Sequence, residues 1–143
     1  AIPVNVTLSQ IELDFSCATP VYGQITSQFG YRMHPIENEV KFHYGLDIAA
    51  DEGTEIACFA NGKVSAIGES NALGLYIMIQ HSDSVVTLYA HCSKLLVKCG
   101  ETVKKGEAIA CVGVTGETTG PHLHFELRKG DVYLNPIYYV SPE

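Results

Sequence analysis

The stretch His122-Leu123-His124-Phe125-Glu126-Leu127 alternates polar and apolar residues without a break. Successive side chains of an extended strand point to opposite faces. His122, His124 and Glu126 therefore share one face, and Leu123, Phe125 and Leu127 share the other. The pattern predicts a strand with one buried side and one side carrying two imidazoles. Burying two imidazoles without a task is costly, and rings two residues apart sit close enough to serve one site. Gly120-Pro121 just ahead of them sets a turn that delivers the strand.

Two other segments have the same character. In Val85-Val86-Thr87-Leu88-Tyr89-Ala90-His91, alternation puts Thr87, Tyr89 and His91 on one face, with His91 at the end of the run where it can reach over a cleft. In Phe42-His43-Tyr44-Gly45-Leu46-Asp47-Ile48, an extended chain sends His43, Gly45 and Asp47 to one face. Phe42, Tyr44, Leu46 and Ile48 go to the other, which suits a core. A helix would also bring His43 and Asp47 together, but Gly45 and the aromatic neighbours argue against one.

Beyond these segments, thirteen glycines cut the chain into short pieces. Lys63–Ile67, Leu75–Gln80, Val85–Ala90, Ala108–Val114 and His122–Arg128 are β-rich, and no window keeps a clean helical stripe. The spacing predicts a mostly β fold, one antiparallel domain, with a short helical turn near Ser93–Leu96. Residues 1–19 read as an N-terminal extension or linker, in which Val4–Leu8 and Ile11–Phe15 alternate in opposite phase as a bulged strand would. Residues 20–143 read as the domain. There is no internal repeat, no low-complexity segment and no apolar run long enough to span a bilayer.

The chain has 143 residues, 46% of them hydrophobic, and a formal charge of -7. This is a globular composition. An acidic domain without a Lys/Arg cluster is a poor match for nucleic acid or for anionic lipid. Five cysteines, none in a C-x-x-C pair, argue against a zinc ribbon. They read as small buried hydrophobes, with a Cys92–Cys99 bridge as the minority expectation in an oxidising space.

The polar faces together hold the makings of a catalytic metal site. Zinc in such a site takes three protein ligands and keeps a fourth position for water. His43, Asp47 and one of the pair His122/His124 supply such a set, and alternation leaves open which of the two it is. The same ligand types also make the facial triad of non-haem iron oxygenases. The additional histidines favour hydrolysis, where a base and an oxyanion donor are useful. His34 and His81 read as structural. Glu126 reads either as a partner of His124 or as a solvated carboxylate.

Three ordered stretches carry a resemblance: Thr26-Ser27-Gln28-Phe29-Gly30-Tyr31-Arg32-Met33-His34-Pro35, then His43 to Asp47, then Gly113-Val114-Thr115-Gly116 through Gly120-Pro121-His122-Leu123-His124-Phe125-Glu126. With Tyr89-Ala90-His91 between them, the chain from about Pro20 to Pro136 resembles the lysostaphin and LytM-type zinc endopeptidases. The resemblance implies an antiparallel β core with a substrate groove, of the duplicated hybrid motif kind. It implies one zinc ion on His43, Asp47 and His124, with catalytic roles for His91 and His122. It implies hydrolysis of peptidoglycan stem or cross-bridge peptides outside the cytoplasm, with an upstream anchor or a protein partner as further expectations. Some members of the family lack activity, so a cell-wall-binding or partner domain that keeps zinc for structure is the alternative.

Overall fold

A computed structural model describes residues 2–34 and 36–143. Pro35, which closes the first resemblance stretch, and Ala1 lie outside the described residues. The strands, in chain order, are β1 (Gln24–Ser27), β2 (Gly30–Met33), β3 (Val40–His43), β4 (Leu46–Ala49), β5 (Glu55–Ala57), β6 (Gly62–Ser70), β7 (Gly74–Gln80), β8 (Val85–Leu95), β9 (Thr102–Val103), β10 (Ala108–Val112), β11 (His122–Lys129) and β12 (Val132–Leu134). Ten of them form one sheet along the path β1-β4-β11-β8-β7-β6-β9, with β10 joined to β5 and β8 and β12 joined to β11. The pairings between these strands are antiparallel. β2 and β3 form a separate hairpin.

The centre of the sheet is β11, which carries His122-Leu123-His124-Phe125-Glu126-Leu127. β11 runs between β4 and β8, with Leu123 opposite Ile48 and Phe125 opposite both Leu46 and Tyr89. All five of these apolar or aromatic side chains are fully buried. Apolar positions stacked on apolar positions across three strands fix the register, because a slip of one residue would turn the whole set out to solvent. The same register sets His124 beside Asp47 on one side and Ala90 on the other.

Each of the five β-rich runs coincides with a strand. Other expectations do not hold. Ser93–Leu95 continues β8, where cross-strand pairs from Cys92 to Leu95 keep it extended against β10. The helical turn is a 3-10 turn at Pro136–Tyr138 instead, capped by Asn135 Oδ1, which accepts from the Ile137 N–H at 3.1 Å. Phe42–Ile48 is two strands, broken at Tyr44-Gly45. Phe42 and Tyr44 consequently face the groove and not the core. Phe42 packs against Phe29, Tyr31 and Tyr44 with ring centroids 5.0–5.2 Å apart.

The segment ahead of β1 is no bulged strand. Among its described residues only Val6 pairs, in an isolated bridge to Tyr133. Farther along, Phe15 packs on Phe59 and His81 at 6.3 and 5.7 Å, and the Tyr139 hydroxyl both donates to Ile11 O and accepts from Ile11 N. The five cysteines are free thiols. Cys58 and Cys92 are buried, as small hydrophobes would be, and Cys99 is exposed. The Cys92–Cys99 bridge does not form, since Cys92 points into the core. Among the described residues no helix is long and apolar enough to cross a membrane.

Candidate metal centre and groove

The polar face of β11 and the adjoining face of β4 line the floor of a groove of about 840 Å³. There, His43, Asp47 and His124 offer ligand atoms that all lie within 4.8 Å of one another. His43 Nε2 is 3.2 Å from Asp47 Oδ1, and His124 Nδ1 is 2.7 Å from the same oxygen. The two ring nitrogens are 3.3 Å apart.

Partner chemistry settles which nitrogens carry protons. His43 Nδ1 lies 2.9 Å from Gln28 O, and a carbonyl only accepts, so Nδ1 holds the hydrogen and Nε2 keeps its lone pair. His124 Nε2 lies 2.7 Å from Glu126 Oε2, which leaves Nδ1 towards Asp47. Glu126 is therefore a partner of His124. Each imidazole thus has its far N–H held and its near nitrogen turned to Asp47, the arrangement by which a metal-binding histidine is oriented. Gly45 makes room for it, because a Cβ there would stand 2.6 Å from Phe125 O and 2.9 Å from His124 Cε1.

The electrostatics point the same way. Burial opposes a charge on His124, but hydrogen bonds to Asp47 and Glu126 outweigh it and raise its pKa to about 9. Burial would raise Asp47, yet the His124 and His43 rings, 2.7 and 3.2 Å from its Oδ1, hold it well below the usual carboxylate range. A site that draws this strongly on protons is one where another cation competes for the same lone pairs.

His91 reaches the groove by a departure from strand geometry. Ile77 faces Tyr89 and Leu75 faces Cys92, so one residue of β7 stands opposite two of β8. That is a β-bulge, and His91 takes φ 65 within it. The extra residue reverses the alternation. Thr87 and Tyr89 point into the core, where both are fully buried, while His91 joins the groove wall. The three do not share a face as alternation predicts.

The loop Gly113–Pro121 holds His91 in place. His91 Nδ1 donates to Thr115 O at 2.7 Å. Thr115 Oγ1 in turn donates to Cys92 O and accepts from Leu75 N, at 2.7 and 3.0 Å. Gly116 and Gly74, at φ 78 and 63, let this loop lie against the start of β7. A Cβ on Gly116 would be 2.3 Å from Gly74 N. His122 Nδ1 is held at 2.9 Å by both Gly120 O and Thr118 Oγ1. The rings of His91 and His122 are 4.7 Å apart, and His122 Nε2 is 3.9 Å from Asp47 Oδ2. Burial pushes the pKa of His91 down to about 4. All five residues singled out by pattern and resemblance therefore line one groove.

Peptidase family M23 matches over residues 41–136, two-thirds of the chain and all five of those residues. The chain belongs to peptidase family M23. This M23 domain is 42% identical over 128 residues to the DD-carboxypeptidase/endopeptidase Mpg of Neisseria meningitidis serogroup B, covering 90% of this chain and 30% of that protein. It spans under a third of that relative's length. Among solved structures, a zinc-containing peptidase from Vibrio cholerae matches at TM-score 0.76 and 40% identity, over 82% of this chain and 37% of that one. The catalytic domain of the antimicrobial peptidase lysostaphin from Staphylococcus simulans matches at TM-score 0.74 and 30% identity, over 82% and 91%.

Sequence reading passed over several contributors to the M23 site. The carbonyls of Gln28 and Thr115 carry no side-chain signal at all. Arg32 sits inside the first resemblance stretch and lines the groove, and its charge amid uncharged neighbours was the available cue. His81 lies in the core and not in the groove: its ring is buried between Asn61 O and Thr87 Oγ1. His34 lines the groove while its Nδ1 accepts from Ile36 N and Glu37 N at 3.3 and 3.1 Å.

Proposed function

We propose that this domain is the catalytic part of a zinc-dependent endopeptidase that acts on peptidoglycan peptides outside the cytoplasmic membrane. In this reading His43, Asp47 and His124 hold one ion and His91 and His122 manage protons. The observation that carries it is the convergence of two imidazole nitrogens and a carboxylate oxygen within 4.8 Å, with the far side of each ring tied down. That donor set suits zinc with an open position. Family membership and the zinc-containing relative support the same ion.

Bound there, zinc polarises a peptide carbonyl and makes water ionisable near neutral pH. The rest falls to the chain. Asp47 supplies negative charge at the floor. Glu126 keeps His124 Nδ1 available. His91, its Nδ1 donating to Thr115 O, presents Nε2 to the groove, and burial keeps that nitrogen unprotonated at neutral pH. It is fit to accept a proton. His122, tied in the same way through Nδ1, offers a second Nε2 within 4.7 Å of the first ring. Between them the pair can take a proton from the attacking water and return one to the leaving amine.

Digestion of purified sacculi of different cross-bridge types by the zinc-loaded protein, read by mass spectrometry, tests this. New amine termini are expected, and they should vanish with His91→Ala. Intact sacculi from protein with zinc bound stoichiometrically would favour a binding domain instead.

A further inference from the structure

Arg32 lies in the groove without a part in the chemistry above. β2 carries it opposite Lys41 in the hairpin. Lys41 is ion-paired to Glu37 and Glu39. Arg32 is not satisfied in that way. Its Nη2 stands 4.0 Å from Asp47 Oδ2, beyond hydrogen-bond distance, and its Nε is buried with no hydrogen-bond partner. Among the described residues the side chain has no other ion pair. Asp47 does not complete it: Oδ1 faces His43 and His124, and Oδ2 stays 4.0 Å from Arg32 Nη2.

A guanidinium has five N–H donors in a planar fork that fits a carboxylate with two parallel bonds. Buried donors are normally paired, so a fork left open beside the reacting centre fits an anion brought by the ligand. Glu117 and Glu126, which also face the groove, would repel such a ligand, and the lysine that lines it, Lys41, is held by Glu37 and Glu39. Arg32 is what makes room for it.

Distance says where on the ligand the anion sits. Arg32 is 4.0 Å from one of the proposed zinc ligands, roughly one residue of extended chain at about 3.5 Å. The anion therefore belongs to a residue flanking the scissile bond. In any carboxypeptidase substrate the residue after that bond carries a free α-carboxylate. A cross-link between two D-centres presents the same group when the amine-side centre keeps its own carboxylate. A glycyl bridge has no carboxylate at that position.

We propose that Arg32 binds the free carboxylate on the residue that departs with the amine, and so selects D,D-linked stem peptides over glycyl bridges. The assignment rests on the peptidase reading and names its substrate class.

The test uses two peptides of one sequence ending in D-Ala-D-Ala, one a free acid and one a carboxamide, with a pentaglycine peptide as a third substrate. Zinc-loaded wild type, Arg32→Gln and Arg32→Lys are compared. Wild type should favour the acid over the amide by about 10- to 100-fold in kcat/KM, most of it in KM, the scale of a charge-assisted hydrogen-bond pair. It should cut pentaglycine poorly. The acid-to-amide ratio should collapse towards one in Arg32→Gln and survive in part in Arg32→Lys. Calorimetric binding of the same two peptides to the His91→Ala protein should give the same preference without turnover.

Equal handling of acid and amide by wild type, or a ratio unchanged in Arg32→Gln, overturns the assignment. If no peptide is cut but acid still binds over amide in an Arg32-dependent way, the peptidase reading fails and the Arg32 assignment stands. Should Arg32→Gln not fold, the wild-type and Arg32→Lys ratios decide.

Discussion

Gly45 is as much a part of the centre as the residues that bear charge. A methyl group there meets a backbone oxygen and the His124 ring at once, and backbone cannot step aside cheaply. Gly45→Ala should cost about 1–3 kcal/mol in denaturant unfolding and weaken zinc binding in a chelator competition. Glu126 acts on the centre through His124. Glu126→Ala should lower zinc affinity about 10- to 100-fold by the same assay while leaving the fold intact. At this scale the sequence was readable where side-chain type and spacing carry the signal, as at His43, Asp47 and the pair His122/His124. It was silent where a backbone carbonyl does the work. Gln28 O and Thr115 O fix the tautomers of His43 and His91, and any residue type brings a carbonyl.

Strand alternation foretold β11 but grouped Thr87 and Tyr89 with His91, whereas they face the core and His91 faces the groove. One additional residue against β7 turns the end of β8 over, and no local pattern marks it, because a bulge is set by the partner strand. Its props can be tested. Thr115→Val leaves Cys92 O and Leu75 N–H without their hydroxyl partner, so stability should fall by about 1–3 kcal/mol. If His91 moves protons, kcat should fall more than KM rises. A loss confined to stability would remove the loop from the catalytic account. The Tyr44-Gly45 break has a similar origin. Periodicity reads one strand through it, whereas β3 joins the β2 hairpin and β4 joins the main sheet.

Across the whole molecule, the back of the sheet carries a second polar system that the groove does not use. His81 Nδ1 donates to Asn61 O, and His81 Nε2 is 2.8 Å from Thr87 Oγ1. Thr87 Oγ1 is 2.7 Å from the Tyr89 hydroxyl, which accepts from Phe59 N. With His81 neutral every hydrogen has one acceptor: Tyr89 donates to Thr87 and Thr87 donates to His81. Protonating His81 sets N–H against O–H and strands a buried hydroxyl. Burial already lowers the pKa of His81. Above about pH 6.5 neither folded nor unfolded chain carries that proton, and stability is full. As pH falls below 6.5 the unfolded chain takes it first, so thermal unfolding should come earlier down through the folded value. His91 acts with the same sign. His81→Gln should flatten that slope in part. Phe15 lids this end of the core, and a chain lacking residues 2–19 should melt several degrees lower. None of this network was visible as pattern, since Phe59, His81 and Tyr89 meet only through the sheet. The one-way order of its hydrogens also gives the fold a built-in reporter. The Tyr89 hydroxyl, on a fully buried side chain, should exchange with solvent only when the whole domain opens. Its proton resonance would then keep time on global unfolding, whatever occupies the groove on the other face.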